Sequence, residues 1–256
     1  MRRLPSGAVP VFFALQLIAP NVNADSERTA TVRGIVRAEA SATISSELVA
    51  RIAAISHKVG QSFRKGDVLL SFDCGRYEAE LRAAEADVET QQIAVKTTSL
   101  LLSRKATGSD ELALAKAKLA QASAVADSMR IRTFQCNIAA PYDGRIVERV
   151  VDVFEMPQPN SPLLRIVKDG ELEVDIIVPS SWSVWLKPGH EFLFLVDETQ
   201  TAHKVRLMNV GAVVDPISRT LKAWGRIVDT PKEVRPGMSG TATIALPEGL
   251  ERRDDR

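Results

Sequence analysis

The sequence predicts an elongated fold of mixed α and β class, in which a small β-sandwich is split by an inserted antiparallel α-helical hairpin and followed by a small β-barrel. Three observations predict it. Residues 75–133 carry a heptad pattern interrupted once, near Thr107-Gly108-Ser109. Short apolar-alternating runs punctuated by turn residues lie on both sides of that stretch. Residues 171–247 then read as a further set of short strands, enough to close a small barrel.

Composition narrows the function before any motif does. Of the 256 residues 45% are hydrophobic, which excludes a disordered chain. Lys plus Arg 33 against Asp plus Glu 32 gives a formal charge of +1, which excludes the basic field of a nucleic-acid binder. Residues 1–24 read as a cleavable signal peptide: Arg2 and Arg3 are positive, 8–19 is an apolar run, and Val22-Asn23-Ala24 precedes an expected mature start at Asp25. The run falls short of the about 20 residues a membrane span needs, and an uncleaved anchor is the alternative.

Residues 25–73 form the N-terminal strands and the first half of the sandwich. Strand patterns begin at Thr31 and continue through 42–55. Gly60 and Gly66 mark turns, Lys65-Gly66-Asp67 being one, while Val59, Phe63, Val68, Leu70 and Phe72 can fill a core.

Residues 74–136 form the coiled-coil hairpin. In the first arm Tyr77, Leu81, Ala84, Val88, Gln91, Val95, Thr98 and Leu102 alternate steps of four and three. Leu112, Ala115, Leu119, Ala122, Ala126, Met129 and Thr133 do the same in the second. Each arm is about 40 Å long at the helical rise of about 1.5 Å per residue. A seam this narrow leaves no cavity for chemistry, so the rod reads as a spacer or docking arm. Gln91 in mid-seam weakens the pairing and helps to fix its register; the alanines of the second arm either permit close contacts or serve as good helix formers. Cys74 and Cys136 bracket the two arms. A disulfide across the base is the favoured reading and two buried thiols the other, since no CxxC or histidine cluster points to catalysis or metal.

Residues 137–170 repeat the first half's character, with a turn at Asp143-Gly144 and strands at 146–151 and 163–167. Val59-Gly60, Phe63, Lys65-Gly66 and Leu69 on one side, and Ile138-Ala139-Ala140-Pro141-Tyr142-Asp143-Gly144 with Ile146 on the other, resemble the two halves of a lipoyl-like domain. In that order around a hairpin, they resemble the periplasmic adaptor, or membrane fusion, subunits of tripartite efflux pumps, of the haemolysin-secretion and RND adaptor type. Carrier domains place a modified lysine at the turn between the halves. Here the rod replaces that turn, leaving Lys58 and Lys65 as turn or surface lysines and implying no cofactor.

Residues 171–247 carry strand patterns at 172–178, 191–196, 205–210, 223–228 and 240–246. Between the first two, 179–189 suggests a short helix capped by Ser180, with Trp182 and Trp185 plugging one barrel end. Val214-Asp215, Arg219-Thr220 and Arg235-Pro236-Gly237-Met238 resemble the adaptors' barrel. Pro236-Gly237 makes a tight turn, and Arg219 is expected to pin a loop through backbone carbonyls. A charged tail, 248–256, ends the chain.

No enzyme signature emerges. His57, His190 and His203 are isolated and read as solvated or turn residues. No phosphate-binding glycine loop is present, and Met129, Met156, Met208 and Met238 are too scattered to handle a metal. The resemblance implies a non-catalytic periplasmic protein that joins an inner-membrane transporter, RND type favoured, to an outer-membrane channel, working as a homo-oligomeric ring, a hexamer or trimer of dimers. It places channel docking at the hairpin tip. Leu102 and Ser109 match the adaptors' tip spacing, Thr98 stands where they carry arginine, and Arg104 and Lys105 lie close enough to supply the charge. The competing readings are a lipoyl or biotinyl carrier domain, which requires added mass on a turn lysine, and a free-standing periplasmic module binding an apolar ligand in its barrel.

Overall fold

A computed structural model describes residues 28–229 and 231–247. The signal peptide expected over 1–24 and the tail over 248–256 lie outside the described residues. In chain order the elements are β1 (Thr29–Ala38), β2 (Ser41–Ser45), β3 (Ile52–Ile55), β4 (Ser62–Phe63), β5 (Val68–Phe72), α1 (Gly75–Ser103), α2 (Ser109–Phe134), β6 (Asn137–Ala139), β7 (Gly144–Arg149), β8 (Pro162–Lys168), β9 (Leu172–Pro179), a 3-10 helix (Ser180–Val184), β10 (Glu191–Val196), β11 (Thr201–Val210), β12 (Thr220–Ile227) and β13 (Ser239–Ala245).

Six antiparallel strands close a barrel in the order β1-β13-β10-β11-β12-β9. Its interior follows from period-two patterning: Val174, Ile176 and Val178 of β9 and Phe194 and Val196 of β10 are fully buried, with their odd-numbered neighbours outside. The barrel expected of 171–247 supplies only five of these strands. The sixth is β1, assigned from sequence to the N-terminal strands, which pairs Thr29 with Ala245 and Ala38 with Leu172. Alternation showed that β1 is half-buried but carried no sign of which sheet would bury it.

The strands flanking the helices form a second unit with its own core. One sheet has the order β2-β8-β7-β4 and the other β3-β5-β6. Ile52, Leu69, Leu70, Ile146, Leu163, Leu164 and Ile166 fill the space they share. Both sheets mix strands from before and after the helices: β4 pairs with β7, β2 with β8, and β5 with β6. Two apolar clusters, one per unit, thus share no buried residue.

From the sheet unit α1 and α2 run side by side, tied at the foot by the Cys74–Cys136 disulfide and by Arg130 of α2 on Glu85 of α1 at 3.1 Å. Every seam residue named from the heptads is at least half-buried. Only Ala122 and Ala126 are buried outright, and no residue of α1 is. The seam is therefore close but thin, as alanine knobs dictate. Gln91 does not reach across it; its amide donates to Asp87 on the same helix at 3.2 Å. At the foot, the Asp73 carboxylate accepts the Gly75 N–H and the Arg51 guanidinium, which hold it below the usual carboxylate range, Arg51 contributing most.

Candidate functional site

The far end of the helix pair is built by a helix stop that the sequence conceals. Lys105 is left-handed at φ 59°, its N–H donating to the Leu102 carbonyl and the Ala106 N–H to the Leu101 carbonyl, both at 2.9 Å. This Schellman turn ends α1 at Ser103, so the link is 104–108, with Gly108 only preceding α2. Glycine usually takes the left-handed position, which is why Gly108 drew attention and Lys105 did not. Thr107 Oγ1 donates to the Glu111 carboxylate across the start of α2.

Of the five tip residues named from sequence, Arg104, Lys105 and Ser109 are exposed together at this end. Thr98 and Leu102 are half-buried in the seam, and the Thr98 hydroxyl donates to the Ala94 carbonyl at 2.9 Å. The sequence reading missed Leu100, Leu101 and Leu114, exposed at 52%, 42% and 58%. The signal was available: all three are leucines lying off the heptad positions of their helices.

The two halves of the sheet unit meet through their glycine turns. Gly60 (φ 83°) and Gly66 (φ 89°) sit third in turns closed by Gln61 N–H on the Lys58 carbonyl and Asp67 N–H on the Arg64 carbonyl, each at 3.0 Å. The same glycines donate across the split, Gly60 to the Ile146 carbonyl at 2.8 Å and Gly66 to the Ala140 carbonyl at 2.9 Å. Lys65 N–H donates to Asp143 Oδ1 at 2.7 Å, which accounts for Asp143, and Pro141 lies exposed between β6 and β7. Gly144 is not the turn residue expected but opens β7, where a Cβ would stand 2.2 Å from the Val167 carbonyl oxygen. Lys58 and Lys65 are exposed turn lysines.

In the barrel, Arg235 to Met238 forms the expected tight turn, with Gly237 at φ 99° donating to the Val36 carbonyl at 2.8 Å. Arg219 behaves otherwise than expected. Its side chain is exposed and donates to no described residue; its left-handed backbone, φ 54°, shapes the loop, while Asp215 pins it by accepting the N–H groups of Ile217 and Ser218 at 2.9 Å. Those two bonds hold the Asp215 carboxylate below its usual range. The short helix after β9 is a 3-10 turn whose first residue, Ser180, makes no side-chain cap. Trp182 and Trp185 pack on the barrel core with ring centroids 5.2 Å apart.

His203 corrects the expectation of a solvated residue. It is buried on β11, with Nε2 2.7 Å from Thr201 Oγ1 and Nδ1 2.9 Å from Asp229 Oδ2, and this contact lowers the Asp229 pKa. Its inward place follows from alternation with Val205 and Leu207, which a polar residue in a short run obscured. A groove of about 800 Å³ between the two units is lined by Arg145, Arg165 and Lys168. Those three cations are paired with Asp169, Glu148 and Glu39. Among the described residues no three His, Cys, Asp or Glu side chains converge as a metal site requires. No described helix is long and apolar enough to cross a membrane.

The described residues thus form a closed barrel and a two-sheet unit that bears a pair of helices. This architecture is that of the periplasmic adaptors, or membrane fusion proteins. A MacA-MexA chimera carrying the Pseudomonas aeruginosa MexA α-hairpin domain superposes with a TM-score of 0.76 at 20% identity, over 86% of this chain and 82% of that one. The membrane fusion protein Spr0693 of Streptococcus pneumoniae R6 gives 0.71 at 15% identity, over 85% and 98%. MacA of Actinobacillus actinomycetemcomitans gives 0.62 at 21% identity, over 86% and 79%. No protein-family profile matches the sequence. An uncharacterised protein of Haemophilus influenzae is 25% identical over 142 residues, 56% of this chain, which spans only 37% of that relative's length.

Proposed function

We propose that this protein is a non-catalytic adaptor of the bacterial envelope, exported to the periplasm by its signal peptide, that links an inner-membrane transporter to an outer-membrane channel. In this reading the two-sheet unit is a split lipoyl-like sandwich and the helix pair is its inserted hairpin. The tip, with Arg104, Lys105 and Ser109 exposed beside Leu102, meets the channel. The barrel and sandwich meet the transporter, RND type favoured, and several copies assemble into a ring.

One observation carries the proposal: strands from both sides of the helix pair complete the same two sheets, so the pair projects from a single closed foot. A carrier domain would need a modifiable lysine where the helices leave, and those ends hold Asp73-Cys74 and Cys136-Asn137 instead. Affinity purification from detergent-solubilised envelopes should retain a many-spanning transporter and an outer-membrane channel. A chain recovered as a monomer with neither would refute the reading. Leu102→Asp should abolish export, and because Leu102 is half-buried the exposed Leu101→Asp is the companion variant that spares the seam. Unchanged export in both, with helical circular dichroism intact, removes the tip from the mechanism.

A further inference from the structure

The barrel carries an apolar point that its own core does not use. In loop 211–219, between β11 and β12, Val213 is 81% exposed and Ile217 94%. The loop is held in shape. Asp215 Oδ1 accepts two backbone N–H groups, the Arg219 N–H donates to the Asp215 carbonyl at 2.8 Å, and the Asp215 N–H donates to the Thr220 carbonyl at 2.9 Å. Ile217 therefore cannot fold back onto the barrel without breaking the turn. Two such side chains on one ordered loop, beside Val214 at 43% exposed, make an apolar feature of the kind that contact surfaces carry.

The surroundings indicate the occupant. Register places this loop at the barrel end away from the two-sheet unit: Thr220 pairs with Pro179 and Thr29 with Ala245 there, while Ala38 and Leu172 pair at the opposite end. Arg28, Lys187, Arg219 and Lys222 are exposed at the loop's end, and none is ion-paired with a described residue. The loop's one carboxylate, Asp215, is engaged by backbone N–H groups.

We propose that this loop is a membrane-contact point, with Val213 and Ile217 entering the interfacial layer of a bilayer while the surrounding cations meet anionic lipid headgroups. A convex tip with two prominent apolar side chains and charge of one sign suits that layer. It is far smaller than the roughly 800 Å² per partner of an ordinary protein interface. The proposal stands apart from the adaptor reading, since a lipid vesicle contains neither transporter nor channel.

Both native cysteines are tied in the disulfide, so an introduced cysteine can be labelled alone. Full-length Ile217→Cys carrying a nitrobenzoxadiazole dye is mixed with vesicles of phosphatidylcholine containing roughly one-third phosphatidylglycerol. The emission should shift to the blue and rise at least about twofold, as for a probe leaving water, with a weaker response to pure phosphatidylcholine. The same dye on Ser109→Cys should not respond. Adding Arg219→Gln and Lys222→Gln to the labelled chain should weaken vesicle binding by about tenfold or more. A silent probe at 217, an equal response at 109, or a response that requires solubilised envelope protein and never lipid would each overturn the proposal, the last giving the loop to a protein partner.

Discussion

Reducing the Cys74–Cys136 disulfide should weaken the helix pair and its sheet unit while leaving the barrel untouched. The bridge closes a separation of 62 residues, for which chain entropy gives about 4 kcal/mol, lowered to about 2–4 kcal/mol by residual structure in the unfolded chain. With a urea slope of about 2 kcal/mol per molar, the midpoint should fall by about 1–2 M. The two units can be observed separately. All three tryptophans, Trp182, Trp185 and Trp224, belong to the barrel, so tryptophan fluorescence reports that unit, whereas ellipticity at the helical minimum reports α1 and α2. Urea titrations with and without a phosphine reductant should therefore displace the ellipticity transition and leave the fluorescence transition in place. Equal displacement of both would mean that the separate apolar clusters unfold as one cooperative body. No displacement of either would mean that the bridge adds nothing that seam and foot do not already supply.

Lys105→Gly should stabilise the helix pair by about 1 kcal/mol, because glycine adopts the left-handed position without the Cβ penalty; a loss of helical stability in urea would contradict the Schellman assignment. Gly144→Ala should cost about 3 kcal/mol or more in chemical denaturation, since its Cβ would overlap the Val167 carbonyl oxygen, and an unaffected midpoint would show that β7 can shift at no cost. The Asp215 carboxyl should titrate below an ordinary aspartate. Its contribution to loop order is present above the unfolded-state pKa of about 4 and lost as pH falls through the lower folded value, so amide exchange at Ile217 and Ser218, corrected for intrinsic rates, should quicken only on acidification. Carbon-detected titration giving an ordinary or raised value would refute it.

The heptads were the most legible part of the chain because a seam is a local, one-dimensional pattern: each of the named positions turns inward, from Tyr77 to Thr133. Most strands of the barrel were legible for the same reason, as with β10 over Glu191–Val196. What stayed hidden depended on partners distant in sequence or on backbone conformation. β1 alternates like any half-buried strand, and only its pairing with β13 and β9 puts it in the barrel. The Schellman stop rests on a lysine in a conformation that composition does not advertise. Arg219 drew attention as a charged side chain, when its backbone angle and the carboxylate of Asp215 shape that loop. At the tip, the resemblance to the adaptors' spacing directed the choice of docking residues to Thr98 and Leu102, both half-buried on the seam, and away from the exposed leucines beside it.

Those leucines bear on the proposal that so thin a rod serves as an arm. With no buried residue in α1 and only two buried alanines in α2, the pair gains little from its own seam, where a fully buried large apolar side chain would contribute about 1.5–3 kcal/mol. Its register is fixed instead at the ends: at the foot by the disulfide, by Arg130 on Glu85 and by Tyr77 packed on the sheet core, and at the tip by the Schellman turn. A rod secured at its ends and weakly packed along its length keeps its direction while leaving apolar area unspent. Leu100, Leu101 and Leu114 hold that area at the tip, about half exposed, so covering them would add about 1 kcal/mol each. The burial that the helices do not provide for each other is therefore left as exposed apolar area at the tip, as an end-on docking surface would require.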